Sequence, residues 1–380
     1  MLVSCMPPPS GGIGRWVILL QSWLANRPAV SVRLVPLSAS WRPIWDNTFW
    51  KRLVCGGLQG IWDGGRIGWA LLRHRPQVLH LNTSAELRGP WDTAILALAR
   101  ALGTRCFYHI HMGRLPEVLE QHGWEYWAIR WALKLADRVI VLDKSSEQAL
   151  KRVIPANRVV RLPNPIAPIN ALSRSSRAGK PTVLFMGHLV PAKGLQELMQ
   201  AWHEVQPTGW GLQLAGPGEA AYRERLSRIA GEGSNVEFLG ELPAADAWER
   251  MQNADAFVLP THTEGFPYVI LEAMAAAKPI ICSRVGAIPE MLDADAPEPC
   301  GLVIPPRDVS ALVGAMRQLL GNPLLRADLG RRARSKLENS YTADIVFTRL
   351  LELWHERAGR TVPNPTAAVD AIEAQYSSTR

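Results

Sequence analysis

Short apolar runs that alternate with helical segments constrain the fold of this chain more than any other feature of its sequence. Four such runs in the second half lie at residues 182–186, 211–215, 236–239 and 256–259. Each has the length of a buried strand, and each is followed by a loop and a longer segment with helical features. This alternation is typical of a parallel sheet covered by helices, so the sequence predicts an α/β fold.

The first half of the chain carries the same alternation. Its predicted strands are residues 1–6, 31–37, 78–81, 105–110, 137–142 and 158–162. A length of 380 residues is enough for two domains, and 47% hydrophobic with 20% charged residues is ordinary for a globular protein. We therefore expect two parallel sheets in two domains.

Composition marks the boundary between these domains. Two closely spaced prolines near residue 165 are followed by a stretch rich in serine and arginine, which is typical of a linker. A last helix is expected to cross back to the first domain, and a polar, proline-containing tail to be mobile. The predicted ranges are 1–170 for the first domain, 171–181 for the linker, 182–342 for the second domain, 343–358 for the crossing helix and 359–380 for the tail.

Two glutamates, Glu264 and Glu272, flank the start of a predicted helix after the strand at 256–259. Pro267 suits the first turn of that helix because its missing N–H costs nothing there. The unpaired backbone N–H groups at such a helix start favour a phosphate or a sugar hydroxyl. A carboxylate can accept two hydrogen bonds from the vicinal diol of a ribose or a hexose. The pair therefore suits a nucleotide sugar, whereas either glutamate alone is more simply interpreted as a capping or surface residue.

The full stretch EGFPYVILEAMAAAKPIICS at residues 264–283 resembles the signature of retaining glycosyltransferases in which seven residues separate two glutamates. A second stretch, GHLVPAKGL at 187–195, is similar to the family's glycine, basic residue and lysine after the first strand of the second domain. The family is glycosyltransferase family 4, also described as glycosyl transferases group 1. The resemblance implies the GT-B architecture, in which two Rossmann-like domains face a central cleft. It also implies transfer of a hexose from a UDP- or GDP-linked sugar.

The resemblance further implies roles for individual residues. Glu264 holds the donor by the hydroxyls of its sugar, Glu272 by its ribose, and Lys193 by its diphosphate. His111 contacts the hexose near the reacting carbon, so His111, Lys193 and Glu264 are the expected catalytic residues. The other expected donor-binding residues are Gly11, Gly12, His188, Leu242, Gly265, Phe266 and Pro267.

His188 departs from the family pattern, which has an arginine at this position. An arginine grips two phosphate oxygens and is always charged, whereas a histidine is largely neutral at pH 7. We therefore expect a different donor or a weaker hold on the leaving group. For Lys193, a cation at a helix start opposes the helix dipole unless an anion is bound, which favours a phosphate-binding role.

We expect no metal ion and no cofactor. His109 and His111 share one face of a strand, but a third ligand is missing nearby. The triplet Asp293-Ala294-Asp295 is similar to that of metal-dependent glycosyltransferases, yet it follows a helix, and we interpret it as a solvated turn. Lys193 and fixed backbone donors are expected to supply the positive charge that a metal would. A structural role remains the alternative for His111.

Basic residues and tryptophans are concentrated in the first half. Residues 1–170 contain 21 Lys and Arg against 10 Asp and Glu, and 11 of the 15 tryptophans. Indole rings partition to the headgroup level of a bilayer while cations meet phosphate. This half therefore favours an anionic membrane surface or a polyprenyl-diphosphate-linked acceptor, and nothing in it resembles a nucleic-acid module.

Two tryptophan groups are the candidates for such a contact. The segment with Trp41, Trp45 and Trp50 is the better one, and packing in the core is an equal alternative for it. Three tryptophans between residues 124 and 131 share one helix face, which we expect in the core or at a domain interface.

Cellular location is predicted from what the sequence lacks. No run approaches the roughly 18–20 apolar residues that cross a bilayer, and the first residues lack the features of a secretion signal. We expect a cytoplasmic protein, peripheral on the inner face of the plasma membrane. The five scattered cysteines favour reduced core residues over disulfides or zinc ligands.

The predicted activity is addition of a hexose to a saccharide in bacterial polysaccharide or glycolipid assembly. Three alternatives stay open. A sugar-nucleotide epimerase has the same two-domain plan, and a nucleotide-sugar-binding regulator without turnover is consistent with His188. Gly11 and Gly12 alone are also compatible with a dinucleotide oxidoreductase.

Overall fold

The computed structural model describes most of the chain. It covers residues 1–6, 11–25, 27, 30–37, 49–85, 88–167 and 179–356, without the side chains of 49–56. Trp41, Trp45, most of the predicted linker and the predicted tail lie outside the described residues, as does the side chain of Trp50. Within them the fold consists of two parallel sheets with helices packed on both.

The first sheet is formed entirely by the first half of the chain. Its strands are β1 (Leu2–Cys5), β2 (Leu34–Leu37), β3 (Val78–Thr83), β4 (Arg105–Ile110), β5 (Arg138–Val141) and β6 (Val159–Arg161). They lie in the order β2-β1-β3-β4-β5-β6, and every neighbouring pair is parallel. All carboxyl ends therefore lie at one edge, which is where open α/β sheets bind their ligands.

The second sheet repeats this design. Its strands are β7 (Thr182–Met186), β8 (Gly211–Ala215), β9 (Val236–Gly240), β10 (Ala256–Leu259), β11 (Ile280–Ser283) and β12 (Leu302–Ile304). The order is β12-β11-β10-β7-β8-β9, again with parallel neighbours. The predicted α/β fold with two parallel sheets is confirmed.

Helices connect the strands, as parallel sheets require. Those of the first half are α1 (Gly12–Leu24), α2 (Phe49–His74), α3 (Gly89–Ala101), α4 (Leu115–Gln121), α5 (Trp124–Leu135) and α6 (Lys144–Lys151). Those of the second half are α7 (Leu195–Val205), α8 (Ala220–Ala230), α9 (Ala244–Asn253), α10 (Tyr268–Ala275), α11 (Ile288–Met291), α12 (Val309–Leu320), α13 (Pro323–Ser340) and α14 (Ala343–His355). Within the described ranges, no helix is long and apolar enough to traverse a bilayer.

The last helix, α14, packs on the first sheet rather than the second. Its Phe347 meets the ring of Trp16 edge-on, with centroids 5.5 Å apart. Its Asp344 accepts hydrogen bonds from the indole of Trp23 at 2.6 Å and from Arg27 at 3.0 Å. These contacts join the C-terminal part of the described chain to α1, so the two sheets are connected twice.

The structure corrects three details predicted from the sequence. The pattern of apolar residues predicts the first helix at residues 15–25, whereas α1 begins at Gly12, so Gly12 belongs to the helix and Gly11 caps it. Cys5 is exposed, whereas Cys106, Cys282 and Cys300 are buried as expected. Lys193, which is predicted at a helix start, instead ends a short 3-10 turn before α7.

The tryptophan face of α5 is also different from the prediction. Trp124, Trp127 and Trp131 are 59%, 55% and 55% exposed, so the expectation of a core or interface face is wrong. The buried residues of α5 are instead Ile129, Ala132 and Leu133. This helix therefore has two apolar faces, one aromatic and one aliphatic, and only the aliphatic face is buried.

Candidate active site

Loops from the two sheets meet where β4 and β10 end. Gly113, three residues after β4, lies against Gly265, which follows β10. A Cβ on Gly113 would stand 2.4 Å from the Cα of Gly265 and 2.6 Å from the carbonyl oxygen of Glu264. Because real Cβ atoms do not approach so closely, only glycine fits at position 113. The loop that carries His111 and the loop that carries Glu264 therefore share one site between the sheets.

The Glu264 loop is fixed from its own side as well. Gly286, at φ +53°, is placed so that a Cβ would lie 2.1 Å from the carbonyl oxygen of Glu264. The amide of Ala287 donates a hydrogen bond to the carbonyl oxygen of Gly265 at 2.9 Å. The loop is thus clamped between the first domain and the turn after β11.

Two further predicted residues anchor this loop through their bulk. Phe266 is buried and meets the ring of Tyr341 at 5.6 Å, and its carbonyl oxygen accepts from the side chain of Asn164 at 3.2 Å. Pro267 caps α10, one position before the first helical residue. The side chains of Phe266 and Pro267 are buried, so the backbone of this segment is its polar contribution to the site.

Lys193 and Glu264 form an ion pair. The Lys193 ammonium donates to Glu264 Oε1, and the two side chains are 25% and 15% exposed. Gly194, at φ +68°, follows Lys193, and a Cβ there would lie 1.8 Å from the carbonyl oxygen of Pro260. This close approach presses the Lys193 turn against the segment after β10. Lys193, which is predicted to bind phosphate, and Glu264, which is predicted to bind the sugar, are therefore direct neighbours.

Glu272 forms the second ion pair of the site, and its partner comes from the other domain. Its Oε1 lies 2.5 Å from the guanidinium of Arg15, on α1. The same guanidinium lies over the ring of Tyr268, 4.8 Å from the centroid. A Cβ on Gly12 would be 3.6 Å from that ring. The start of α1 therefore faces the motif helix α10 directly.

Gly11 and Gly12 are exposed at this helix start. The cap residue Gly11 has no side chain to accept from the first N–H groups of α1, and its backbone is extended with φ −154°. The first N–H groups of a helix have no partner within the helix, so those of α1 are available to an anion.

His188 and Leu242 lie at the same edge of the second sheet as the Glu264 loop. His188 is exposed and follows β7, while Leu242 is half-buried and follows β9. Leu242 packs against the core of the second domain. Their positions are compatible with the predicted roles, which remain predictions.

His111 is the outer member of a histidine network. Its Nε2 lies 3.3 Å from the amide oxygen of Asn82, and Nε2 of His80 lies 3.1 Å from the same oxygen. The amide nitrogen of Asn82 donates to Ser4 Oγ at 3.1 Å. Since an amide oxygen only accepts, Nε2 of His111 carries the proton. Its Nδ1 is then an acceptor.

The inner members of the network are buried among aromatic rings. Nδ1 of His80 accepts from the indole of Trp354 at 3.2 Å, and Nε2 of His80 lies 3.2 Å from Nδ1 of His109. The rings of His109 and His111 are 4.1 Å apart. Burial lowers the pKa of His80 and His111 to about 3 and holds the pKa of His109 well below its usual value. All three histidines are therefore neutral at pH 7.

The network is not arranged as a metal site. Across the described ranges, no three His, Cys, Asp or Glu side chains converge in a way that would hold a metal ion. Two of the histidines, His80 and His111, instead share one acceptor, Asn82 Oδ1, which suits proton-bearing nitrogens and not metal-bound ones.

The buried histidines predict a loss of stability in mild acid. His80 and His109 are 1% and 0% exposed, and their folded pKa lies below the unfolded value of about 6.5. The unfolded chain therefore binds protons first, and stability is lost as pH falls from about 6.5 towards 3. At pH 5.5 each of the three histidines, including His111 with its pKa of about 3, should cost about 1.4 kcal/mol, or roughly 4 kcal/mol together. Urea unfolding at pH 7.5 and 5.5 measures this loss.

A variant separates the histidines from other titrating groups. Burial raises the pKa of Asp92 to about 6. The folded state therefore takes up this proton before the unfolded state does, so Asp92 makes the folded protein more stable as pH falls and opposes the loss from the histidines. His109→Gln keeps Asp92 and removes one histidine. Its loss between pH 7.5 and 5.5 should be smaller than that of the wild type by about 1.4 kcal/mol. An equal loss in both proteins would contradict the assignment.

Several residues of the site were not singled out from the sequence. Arg15 is one of them, although its spacing of one helical turn from Gly11 places it at the same end of α1. Gly113 carried no signal, because its requirement comes from the other domain. For His80 and Asn82 the sequence did contain a signal. These two polar residues are two positions apart in a mostly apolar strand, so they share one face of it.

Solved structures share this architecture. One is a sucrose-phosphate synthase from Thermosynechococcus elongatus, with a TM-score of 0.71 and 21% identity over 93% of this chain and 97% of that one. Another is Anabaena HepE, solved with UDP, with a TM-score of 0.69 and 16% identity over 93% and 98%. Two Rossmann-like domains with a site between them are the GT-B fold, as the sequence resemblance implies.

Family models give the narrower assignment. The model for Glycosyltransferase Family 4 matches residues 10–168, and the model for Glycosyl transferases group 1 matches residues 167–336. Together they span most of the chain, which therefore belongs to the family 4 glycosyltransferases of the GT-B class. The prediction from the paired glutamates is confirmed at this level.

Curated relatives match parts of the chain. An exopolysaccharide phosphotransferase of Streptomyces coelicolor is 31% identical over 230 residues, which are 59% of this chain and 24% of that protein. A GDP-mannose-dependent phosphatidylinositol monomannoside mannosyltransferase of Corynebacterium glutamicum is 28% identical over 301 residues, 70% of this chain and 76% of that protein. The matched region thus spans about a quarter of the first relative and three quarters of the second.

Proposed function

We propose that the protein transfers a hexose from a nucleoside diphosphate sugar to a saccharide, with retention at the anomeric carbon and without an essential metal ion. The observation that carries this proposal is the pairing of both predicted donor carboxylates with cations at one interdomain site. Glu264 meets Lys193, and Glu272 meets Arg15. A nucleotide sugar offers diols to the carboxylates and a diphosphate to the cations, so it suits both members of each pair.

The donor would lie along the carboxyl edge of the second sheet. Backbone near Leu242 would contact the base, and Glu272 would accept hydrogen bonds from the ribose. Lys193 and the N–H groups at the start of α1 would surround the diphosphate. Glu264 would hold the hexose by its hydroxyls. Leu242, Lys193 and Glu264 follow strands at that edge, Glu272 lies within α10, and the start of α1 faces them from the first domain.

Negative charge on the leaving diphosphate increases in the transition state. A fixed ammonium and fixed backbone N–H groups stabilise that charge more than they stabilise the ground state, which lowers the barrier. Lys193 exchanges its contact with Glu264 for the phosphate oxygens, and this frees the carboxylate for the sugar. The two roles are thus coupled within one ion pair.

His111 would position the hexose rather than transfer a proton. Its pKa of about 3 keeps it neutral, so it is a poor acid near pH 7. Its Nε2 proton is directed to Asn82, which leaves Nδ1 to accept a hydrogen bond from a sugar hydroxyl. This geometry supports the predicted contact near the reacting carbon.

The names of two similar proteins support the donor class. The Corynebacterium relative is described as GDP-mannose-dependent, and the Anabaena structure contains UDP. We therefore propose a UDP- or GDP-linked hexose as donor and a role in bacterial polysaccharide or glycolipid assembly.

A donor panel tests the proposal. Purified protein is incubated with UDP- and GDP-hexoses, with and without membrane extract, in buffer containing EDTA. We expect one donor to be consumed and its sugar to appear in lipid-linked or saccharide product only when extract is present. Conversion of the donor sugar without extract would indicate an epimerase. Stabilisation by a donor without any consumption would indicate a binding protein.

We further propose that the acceptor is lipid-linked and that the protein is peripheral on the inner face of the plasma membrane. The support is the exposed aromatic surface of the first domain. Arg130 lies 4.7 Å from the ring centroid of Trp127, and the Lys134 ammonium lies 4.8 Å from that of Trp131. Indoles with adjacent cations suit an interface of acyl chains and anionic headgroups.

Helix α2 extends this surface. It is adjacent to α3, since Gly60 faces Trp91, and α3 also contacts α5 through Gly89 and Ala128. Its exposed apolar side chains, all more than half exposed, are Leu58, Ile61, Trp62, Trp69 and Leu72. We define α2 and α5 together as the aromatic face. The aromatic face thus exposes apolar side chains on both sides of α3. Such a surface suits a bilayer, because indole rings insert among lipid headgroups without needing a complementary protein pocket.

Removing the α5 tryptophans should release the protein from anionic vesicles. The triple change Trp124→Ser, Trp127→Ser and Trp131→Ser removes exposed indoles only, so folding should be retained. Co-sedimentation with phosphatidylglycerol vesicles should weaken by about tenfold or more, because each indole buries apolar area at the interface. Leu324→Ser is the control, since Leu324 is 83% exposed in the second domain. Equal binding by the triple variant and the control would contradict membrane docking through α5.

A further inference from the structure

Arg15 connects the first domain to the predicted donor site. It lies one turn into α1, where its backbone amide bonds to the carbonyl oxygen of Gly11 at 3.1 Å. Its guanidinium bonds to Glu272 of α10 at 2.5 Å and is 49% exposed. Arg15 therefore reaches from the first domain to the second, while part of its guanidinium group still faces solvent.

The contact beneath Arg15 fixes the direction of the side chain. The ring of Tyr268 is 9% exposed and lies 4.8 Å from the guanidinium carbon. Burial also raises the pKa of this phenol, so the ring carries no negative charge that would bind the cation permanently. A neutral aromatic surface supports a guanidinium without saturating its donors. The remaining N–H groups of Arg15 can therefore serve a ligand.

The ion pair with Glu272 is not by itself a sufficient reason for an arginine at position 15. An exposed ion pair contributes little to stability, about 0–1 kcal/mol. The site also lacks the guanidinium that the family pattern has at position 188, where this chain has an exposed histidine. A donor diphosphate needs charge compensation from a planar, permanently charged group for a two-point grip.

We propose that Arg15 binds the donor diphosphate from the first domain and takes over the function of the arginine replaced by His188. This inference rests on the proposed function. Without donor, Arg15 is held in place by Glu272. When the donor enters, its ribose hydroxyls occupy Glu272, and the guanidinium turns on the Tyr268 ring to the phosphate oxygens beside the start of α1.

Three variants test this assignment. Arg15→Gln removes the charge, and Arg15→Lys keeps the charge but loses the fork. Arg27→Gln is the matched control, because Arg27 follows the same helix and also pairs with a carboxylate across the fold, Asp344, at 3.0 Å. Thermal unfolding of each variant checks that the fold is retained.

Nucleotide affinity is the decisive measurement. Calorimetric titrations with UDP, GDP and the matching monophosphates compare ligands that differ by one phosphate. We expect Arg15→Gln to weaken diphosphate binding by about 10–100-fold and monophosphate binding far less, with Arg15→Lys in between and Arg27→Gln unchanged. Diphosphate binding that is unchanged or tighter in Arg15→Gln would overturn the assignment and leave Arg15 as a competitor for Glu272.

The outcome also separates this inference from the proposed function. If the wild-type protein binds no nucleoside diphosphate, both fail. If the wild type binds and transfers sugar while Arg15→Gln equals the Arg27→Gln control, only the role of Arg15 fails. An equal loss for mono- and diphosphates in Arg15→Gln would also overturn it, because the effect would then not depend on the second phosphate.

Discussion

Replacing Lys193 with glutamine is expected to lower kcat for sugar transfer by about 10²–10³-fold, the usual effect of removing one group that stabilises transition-state charge. The ammonium lies against Glu264 at the site where the two domains meet, so it is placed to neutralise a departing diphosphate. Stability should change little, because the pair is partly solvated. Initial rates with saturating donor measure the effect, and donor affinity is measured separately.

The control for this prediction is Lys336→Gln. Lys336 is 20% exposed, close to the 25% of Lys193, and also pairs with a carboxylate of the second domain, Asp293, at 2.8 Å. A general effect of removing a half-buried ion pair would lower the rate of both variants alike. A kcat for Lys193→Gln within about threefold of the control would argue against a role in leaving-group stabilisation.

Adding a single methyl group at Gly113 is expected to reduce activity by about 10²-fold. The new Cβ would stand 2.4 Å from the Cα of Gly265, so the His111 loop and the Glu264 loop must separate. Displacement of about 1 Å between reacting groups can cost this much in rate. The cores of both sheets lie away from this contact, so each domain should still fold. Transfer rate and thermal unfolding of Gly113→Ala are measured side by side.

Gly123→Ala provides the matched control. Gly123 is ten residues further along the same domain, and a Cβ there would meet nothing within 4 Å. Normal activity in Gly123→Ala together with loss in Gly113→Ala would locate the effect at the interdomain contact. Full activity in Gly113→Ala would mean that the two loops do not need this close approach during catalysis.

Much of the fold was predictable because it depends on local pattern. The strands at 105–110, 182–186 and 211–215 have the bounds that their apolar runs predict. Parallel pairing follows from the alternation with helices, since a parallel connection needs a crossover. The paired glutamates and the glycine-rich stretches then identified the family, because the motif keeps its spacing along one strand, loop and helix.

The exposed tryptophans of α5 show where pattern was insufficient. Spacings of three and four place Trp124, Trp127 and Trp131 on one face, but they do not tell which face the sheet covers. The aliphatic residues Ile129 and Leu133 form a competing face, and these are buried. Burial of a helix face depends on what packs against it, which the helix sequence alone does not contain.

The sequence by itself determined two parallel α/β domains, the family and the set of chemically suitable residues, since each depends on residues close together in the chain. Only the tertiary structure decided which of them meet. Arg15 and Glu272 are 257 positions apart in the chain. Their side chains form an ion pair only because the start of α1 faces α10 across the cleft. Gly113 must be glycine because the backbone of another domain occupies the space of its Cβ. Contacts of this kind arise when two separately specified domains are brought together, and no local pattern records them.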